Sequence, residues 1–324
     1  MPIDKVPGSN YPSKRNYRNG LRKAADNIYT TVKNTINLPG AKSITVTKGI
    51  FKRSKYNLIT IDPKHNEALV YIASQKPNAS FETKRIDFVA AKYPGIHVVI
   101  NGTFFNNTPG GDFQPLGPVI YRQGKYQWTP TTVNYQGIPV YSFDRPFFAI
   151  DKNHLPVIRQ SKGKRAEDLK KEGYLELLGG GGPLIQNGKI IVSKETLAKV
   201  GISPQTHQMN STRQRTCIGI NKEGKILICT FGHQGKPGSV RSGVTLQNLA
   251  QFMLDHGAKD AMFFDSGTST GLYLSDEKTK STGIPRRQPT YLFFVDKKTA
   301  KYIKELEERK EFNIKKLKLY KKKD

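Results

Sequence analysis

From residue 43 to 296 the chain is written in short β-branched and aromatic runs, each bounded by Gly, Pro, Asn or Asp, and this punctuation constrains the fold more than any other feature. Strands are expected at 44–50, 56–62, 68–73, 96–101, 118–122, 147–151, 183–186, 189–192, 216–220, 225–231, 261–264, 270–274 and 291–295. Helical periodicity is sparser. Helices are expected at 21–37, at 81–93 behind a Ser80 cap, and from Ser193 through Lys199. At 245–256, Leu246, Leu249, Phe252 and Met253 fall on one face. Many strands with few helices between them predict an α+β fold, a large mixed or antiparallel sheet with a few packed helices. The composition changes at both ends. The expected division is a basic N-terminal arm (1–40), a central strand-rich domain (41–297) and a basic C-terminal helix or tail (298–324), the last outside the central domain.

Charge narrows the partners. Lys and Arg number 53 against 26 Asp and Glu, a net +27. An excess of that size favours polyanionic surroundings: nucleic acid, teichoic-acid-like polymers or acidic membranes. Residues 1–60 hold twelve of the basic side chains and only Asp4 and Asp26 as acids, and Lys315 to Lys323 form a second basic block. No stretch reaches the roughly 20 apolar residues of a membrane-spanning helix. The N-terminus lacks the apolar core of a secretory signal, so a cytoplasmic location or a place in a phage particle is expected. Cys217 and Cys229, the only cysteines, are expected as buried, reduced thiols on consecutive strands.

Four junctions rich in Gly, Asn and hydroxyl residues sit at strand ends, where backbone geometry can fix a functional group. The first is Asn101-Gly102-Thr103-Phe104-Phe105, followed by Gly110-Gly111-Asp112. The second is Gly179-Gly180-Gly181-Gly182-Pro183, either a flexible connection or a set of bare N–H groups that approach an anion closely. In the third, Arg213-Gln214-Arg215-Thr216, an arginine at a strand start supplies either a surface ion pair or a fork for phosphate. In the fourth, Phe263-Phe264-Asp265-Ser266-Gly267-Thr268-Ser269-Thr270, a carboxylate follows a buried apolar run.

Together these segments resemble the phosphodiester glycosidase family. Asn101 to Phe105, Gly181 to Leu184, Arg215 to Ile220, Gly243-Val244-Thr245-Leu246 and Asp265 to Thr270 follow the family order, with Gly257-Ala258-Lys259-Asp260-Ala261 similar to the exit of the family's helix. The resemblance covers roughly residues 43–296. It implies hydrolysis of a sugar-1-phosphodiester, with Asp265 activating water or stabilising positive charge on the sugar. Arg215 and Thr216, with the N–H groups of Gly180, Gly181 and Gly182, would hold the phosphate. Asn101, Gly102, Thr103, Gly267 and Ser269 would line the substrate, and Asp112 and His233 would serve as second proton-transfer groups. Relatives usually carry Gly at the places of Ser266 and Thr268, and often Asp at that of Phe231.

No cofactor is required, although a divalent metal shared by Asp265 and Asp112 stays open. The partner implied is an anionic sugar-phosphate substrate, as a small molecule or in a cell-surface polymer. Two other readings fit the residues: a non-catalytic module that binds anionic glycans, and a structural virion protein whose basic termini contact nucleic acid.

Overall fold

The computed structural model describes residues 31–75, 80–93, 95–106, 112–131, 143–203, 209–232, 243–276 and 286–320. The fold is α+β, and every strand ladder among the described residues is antiparallel. With strands numbered in chain order, the largest sheet runs β1 (Thr31–Asn37), β2 (Ile44–Phe51), β3 (Ser54–Ile61), β14 (Ile226–Phe231), β13 (Arg215–Asn221), β15 (Ala258–Phe263), β11 (Gly182–Gln186) and β12 (Lys189–Ile190). A four-stranded sheet orders β16 (Leu272–Leu274), β5 (Ile96–Asn101), β17 (Thr290–Asp296) and β4 (Asn66–Ile72). A five-stranded sheet orders β7 (Tyr126–Trp128), β6 (Val119–Tyr121), β10 (Glu176–Gly179), β8 (Pro146–Ile150) and β9 (Pro156–Gln160).

The three sheets share one core, in which Val46 and Ile59 meet Val98 and Ile100, Phe148 and Leu178, and Met262 and Phe264. β5, β8 and β14 are buried at every position, which explains why their sequences are mostly apolar rather than alternating, with His97, Asn101 and Thr230 as the polar exceptions. Helices cover the outer faces: α1 (Ile86–Lys92), α2 (Ala166–Lys171), α3 (Lys194–Lys199), α4 (Leu246–Asp255) and α5 (Lys297–Tyr320). α3 and α4 start where the sequence placed them, because Ser193 and Thr245 accept hydrogen bonds from the N–H groups of Thr196 and Asn248. The apolar stripe of α4 lies on the rings of Tyr56 and Phe231, with Phe231 and Phe252 edge to face at 4.9 Å.

Four expectations need correcting. Residues 31–37 of the expected first helix form strand β1, and residues 21–30 lie outside the described residues. Thr31, Val32, Thr35 and Ile36 are β-branched and fit a pleated edge, where Thr35 and Thr47 share a hydroxyl bond of 2.9 Å. The helix expected at 81–93 begins only at Ile86, since Phe81 and Lys84 are engaged in bridges to Gln75 and Gln288. Part of the expected C-terminal tail packs on the domain: Ala300 and Ile303 are buried, Lys304 pairs with Glu67 at 2.8 Å, and Glu307 meets Arg122 and Tyr93. The tetraglycine run is a buried crossover from β10 to β11, which carries the chain between two sheets.

That crossover is close-packed because it lacks side chains. A Cβ on Gly180, whose φ is +86°, would stand 2.5 Å from the Leu116 carbonyl oxygen and from the Thr103 hydroxyl. At Gly182 the Phe263 ring of the paired strand occupies the space, 2.1 Å from where a Cβ would be. Gly180→Ala is expected to cost well over the roughly 1 kcal/mol of an unhindered positive-φ glycine, for which Gly224→Ala in the open β13–β14 turn is the comparison. Urea unfolding of the two variants measures the difference.

Glu176 ties the five-stranded sheet to the four-stranded one. Its carboxyl accepts from the Val70 N–H of edge strand β4 at 2.9 Å and from the Gln123 N–H at 2.8 Å, covering an otherwise open edge group. Burial pushes its pKa up to about 8, helped by the Glu67 charge and opposed by the two N–H bonds and Lys304. The folded state then holds more protons than the unfolded state between pH 4.5 and about 8, so stability falls as pH rises through that window. Glu176→Gln is expected to abolish this fall, read as a flatter melting temperature from pH 5 to 9 than in the parent protein.

Candidate active site

The ends of several strands from all three sheets converge on one edge of the core. Cross-strand pairing sets Gly182 and Cys217 on either side of Phe263 at the end of β15. In the four-stranded sheet, Asn101 at the end of β5 pairs with Tyr291 near the start of β17. The two edges are joined by the side chain of Asn101. Its amide nitrogen donates to the Asp265 carbonyl at 2.9 Å and to the Gly102 carbonyl at 3.3 Å. Its amide oxygen accepts from the Thr216 hydroxyl at 2.6 Å and from the Gly271 N–H at 3.0 Å. Both donors and both lone pairs are used within the chain. Asn101 and Thr216 therefore position Asp265 through its backbone.

Asp265 follows Phe263 and Phe264, both fully buried, and is itself only 9% exposed. Gly267, at φ +67°, turns the chain into a short 3-10 turn, Gly267–Ser269, that brings Ser269 back beneath the carboxyl. The carboxyl accepts from the Ser266 N–H at 2.8 Å, from the Arg286 guanidinium at 3.2 Å and from the Ser269 hydroxyl. Burial raises its pKa above the ordinary aspartate value, against the lowering pull of Ser269, Arg286 and the Ser266 N–H. Ser266 and Thr268, where relatives usually have Gly, fit this loop. Ser266 is extended at φ −130°, and exposed Thr268 offers its carbonyl to the Arg286 N–H at 3.0 Å.

Arg286 was not among the residues singled out from the sequence. Its guanidinium bridges Asp265 and the Ser269 hydroxyl, the latter at 2.7 Å, and lies 4.7 Å from the centroid of the Phe105 ring. A legible signal existed: Arg286-Arg287-Gln288-Pro289-Thr290 sets arginines just before a strand, as Arg213-Gln214-Arg215-Thr216 does. Around it lie buried polar atoms with no hydrogen-bond partner among the described residues: Arg286 Nε, Gln288 Oε1, Thr290 Oγ1, Thr270 Oγ1 and Thr103 Oγ1. Native interiors leave few such atoms, and five from three neighbouring segments of chain mark a place built to meet water or ligand. Gly102 is pressed against this group, for a Cβ there would stand 2.3 Å from Thr290 Oγ1.

The other expected residues divide. Thr103 lies against Gly180, which brings the first two junctions together. Gly181 backs onto the Phe263 carbonyl and the Met262 side chain, and Gly182 onto the Phe263 ring. Arg215 falls across from Asp265 if the β13–β15 register is carried two residues past the Cys217–Phe263 pair. Its guanidinium, 1% exposed, donates to the Val244 and Ser211 carbonyls at 3.2 and 3.3 Å. Burial, with the nearby Arg213 charge, lowers its pKa to about 10. Arg145, also missed from the sequence, is buried in the same manner and donates to the carbonyls of Val200, Leu116 and Gly201.

Asp112 bonds within its own loop, accepting from Asn106 at 3.0 Å and from the Gln114 N–H at 3.1 Å. His233 lies outside the described residues. Phe231 belongs to the core beneath α4, where an Asp would be buried among aromatic rings. Among the described residues no group of three or more His, Cys, Asp or Glu is placed to hold a metal ion. Cys217 and Cys229 are direct cross-strand partners, buried and unbridged.

Comparison with known proteins agrees with this layout. The sequence profile of the phosphodiester glycosidase family matches residues 94–295. No curated protein matches the chain significantly. Among solved structures, the chain is similar to the zebrafish N-acetylglucosamine-1-phosphodiester alpha-N-acetylglucosaminidase catalytic domain, auto-inhibited by its pro-peptide. Identity is 20%, coverage 81% of both chains and the TM-score 0.53. A hypothetical protein from Synechocystis aligns at 16% identity over 82% of this chain and 64% of its own, with a TM-score of 0.55. These likenesses share the fold. With the profile spanning well over half of its length, the chain belongs to the phosphodiester glycosidase family.

Proposed function

We propose that the protein hydrolyses the bond between a sugar's anomeric carbon and a phosphodiester oxygen, with Asp265 as the reacting carboxylate. The company of Asp265 supports this: a carboxyl at a strand end, 9% exposed, gripped by Arg286 and Ser269 and surrounded by buried polar atoms without partners. Breakage of the glycosyl C–O bond builds positive charge on the sugar ring and negative charge on the departing phosphate. An ionised Asp265 stabilises the first and takes a proton from the incoming water. Water supplies the hydroxyl of the free sugar, and the phosphate leaves as a monoester. A phosphodiester departs readily as an anion, so it needs little help from a general acid.

Arg286 is the guanidinium assigned to the phosphate. Its Nε is without a protein partner, whereas Arg215 donates into the carbonyls of Val244 and Ser211. A planar cation with one edge held by Asp265 and Ser269 loses little freedom on binding an oxyanion. Thr103, Thr270, Thr290 and Gln288 offer hydroxyl and amide groups to sugar hydroxyls or phosphate oxygens. Asp112 and His233 remain candidates for a second proton transfer. The net charge of +27 would concentrate an anionic polymer at the surface, which favours cell-wall or other sugar-phosphate polymers as the natural substrate.

Incubation with N-acetylglucosamine-1-phosphodiesters, glucose-1-phosphodiesters and purified teichoic acid, with free sugar as the readout, tests the activity and ranks the sugars. Asp265→Asn is expected to remove turnover with the fold retained by circular dichroism; full turnover in that variant would falsify the assignment. Arg286→Ala is expected to lower kcat/KM by roughly a hundredfold, the scale of a lost oxyanion contact. It should also move the acidic limb of the pH profile upward. The limb reports ionisation of Asp265, already above the usual 3.8, and loss of the Arg286 charge raises it further. An unmoved limb would disconnect Arg286 from Asp265.

A further inference from the structure

A second cleft, of about 340 Å³, lies between β9 of the five-stranded sheet and β11 and β15 of the large sheet. That volume falls within the roughly 300–1,000 Å³ of small-molecule sites. Asp265 is not in its lining. Ala261 is, four residues upstream, and at about 3.3 Å per extended residue its backbone lies no more than about 13 Å from that of Asp265.

The walls combine three kinds of group. Arg159 and Lys162 are exposed on one side, and among the described residues neither side chain forms an ion pair, although the Lys162 N–H donates to the Asp144 carboxylate at 2.6 Å. The third cation, Lys164, is held by Glu172, and the groove carboxylate Asp260 accepts from the Asn187 N–H at 2.9 Å. Three cations against two carboxylates leave the lining one net positive charge, carried on the side of Arg159 and Lys162. Second, Gln160 carries a buried amide oxygen with no hydrogen-bond partner, an acceptor that calls for a donor such as a sugar hydroxyl. Third, Tyr174, braced edge to face against Phe147 at 5.1 Å, and the apolar floor at Ile185 supply flat surface for a ring.

We propose that this cleft is an accessory binding site for a sugar-phosphate unit of an anionic polymer, holding a repeat beside the one that is cut. Arg159 and Lys162 take the phosphate, Gln160 receives a sugar hydroxyl, and Tyr174 lies against the ring. The site discriminates by length: a polymer reaches both the cleft and Asp265, while a single unit reaches only one of them. Occupying both raises the effective concentration of the second contact without altering the chemistry at the first. The inference rests on the hydrolase reading only for the identity of the repeat unit.

The test uses the full chain, a purified sugar-1-phosphate polymer and its single repeat unit. The exposed pair is reversed in charge as Arg159→Glu with Lys162→Glu, and Lys222→Glu with Lys298→Glu serves as a variant of equal net charge on other exposed positions. Retardation in native gels containing the polymer measures binding apart from hydrolysis, and free sugar measures turnover. The cleft variant is expected to bind polymer roughly tenfold more weakly than the charge-matched variant, a difference of about 1.4 kcal/mol, with kcat/KM on the single unit unchanged. Equal polymer binding by the two variants would overturn the site and reduce the effect to net charge. Loss of single-unit turnover in the cleft variant would overturn it as well, since the groove would then belong to the reaction centre. Polymer binding with the expected pattern but no sugar released by the parent protein keeps the cleft and removes the hydrolase reading. Sugar released with equal binding by both variants does the reverse.

Discussion

The site depends on the four hydrogen bonds of the Asn101 amide. β5 and β15 belong to different sheets, and nothing in strand pairing fixes one against the other. Asn101 bonds to the Asp265 carbonyl, the Thr216 hydroxyl and the Gly271 N–H, and so sets the height and angle at which the Asp265 loop leaves the sheet. A buried amide with every donor and acceptor matched is costly to disturb, because loss of one partner leaves another unsatisfied in a dry interior. An asparagine suits this place because it both donates and accepts. Aspartate would lose both donated bonds, and leucine all four.

Around that anchor the chain trades side chains for proximity. Gly102, Gly180 and Gly182 stand where a Cβ would strike Thr290, Leu116 or Phe263, and their bareness lets three sheets approach the same edge. Close approach alone would produce an inert core. What differs here is that several polar atoms were carried into the interior and left without partners, while Asn101 next to them is fully matched. Satisfied polar groups hold the frame, and the unsatisfied ones are gathered beside it.

The sequence disclosed the frame more readily than the polar residues gathered around Asp265. Apolar runs ending in Asn101 and in Asp265 announced buried strands that deliver polar groups at their ends, and both strands occur. The cap at Ser193 was legible because its chemistry is local, and the helix behind Thr245 because its apolar stripe is. Edge strands such as Thr31–Asn37 and Tyr126–Trp128 were not. Their short, polar or mixed runs acquire strand character from a neighbour, as β1 does from β2. Arg286 escaped for a similar reason. Its contact with Asp265 spans 21 residues, and nothing in its own neighbourhood separates it from Arg287, which donates to the Thr83 carbonyl. The tetraglycine read equally well as a flexible linker or as an anion nest, because the pattern records missing side chains and not what fills their place.

The charge of the chain and the chemistry of its site work at different ranges. A net charge of +27 acts through water, where salt screens it beyond about 10 Å, so any pull it exerts on polyanions would not choose among them. Choice requires groups held out of water, where an interaction is stronger and geometry is enforced. Arg286 meets that condition only at its Nε, which is buried and unclaimed beside Asp265, while the side chain as a whole is 36% exposed. Arg215 and Arg145 meet it in the opposite sense. They are desolvated enough that burial lowers both pKa values to about 10, and their guanidinium groups donate to backbone carbonyls and brace the strand ends. Burial of an arginine is therefore no guide to its role. The informative quantity is how many of its donors the protein has left open.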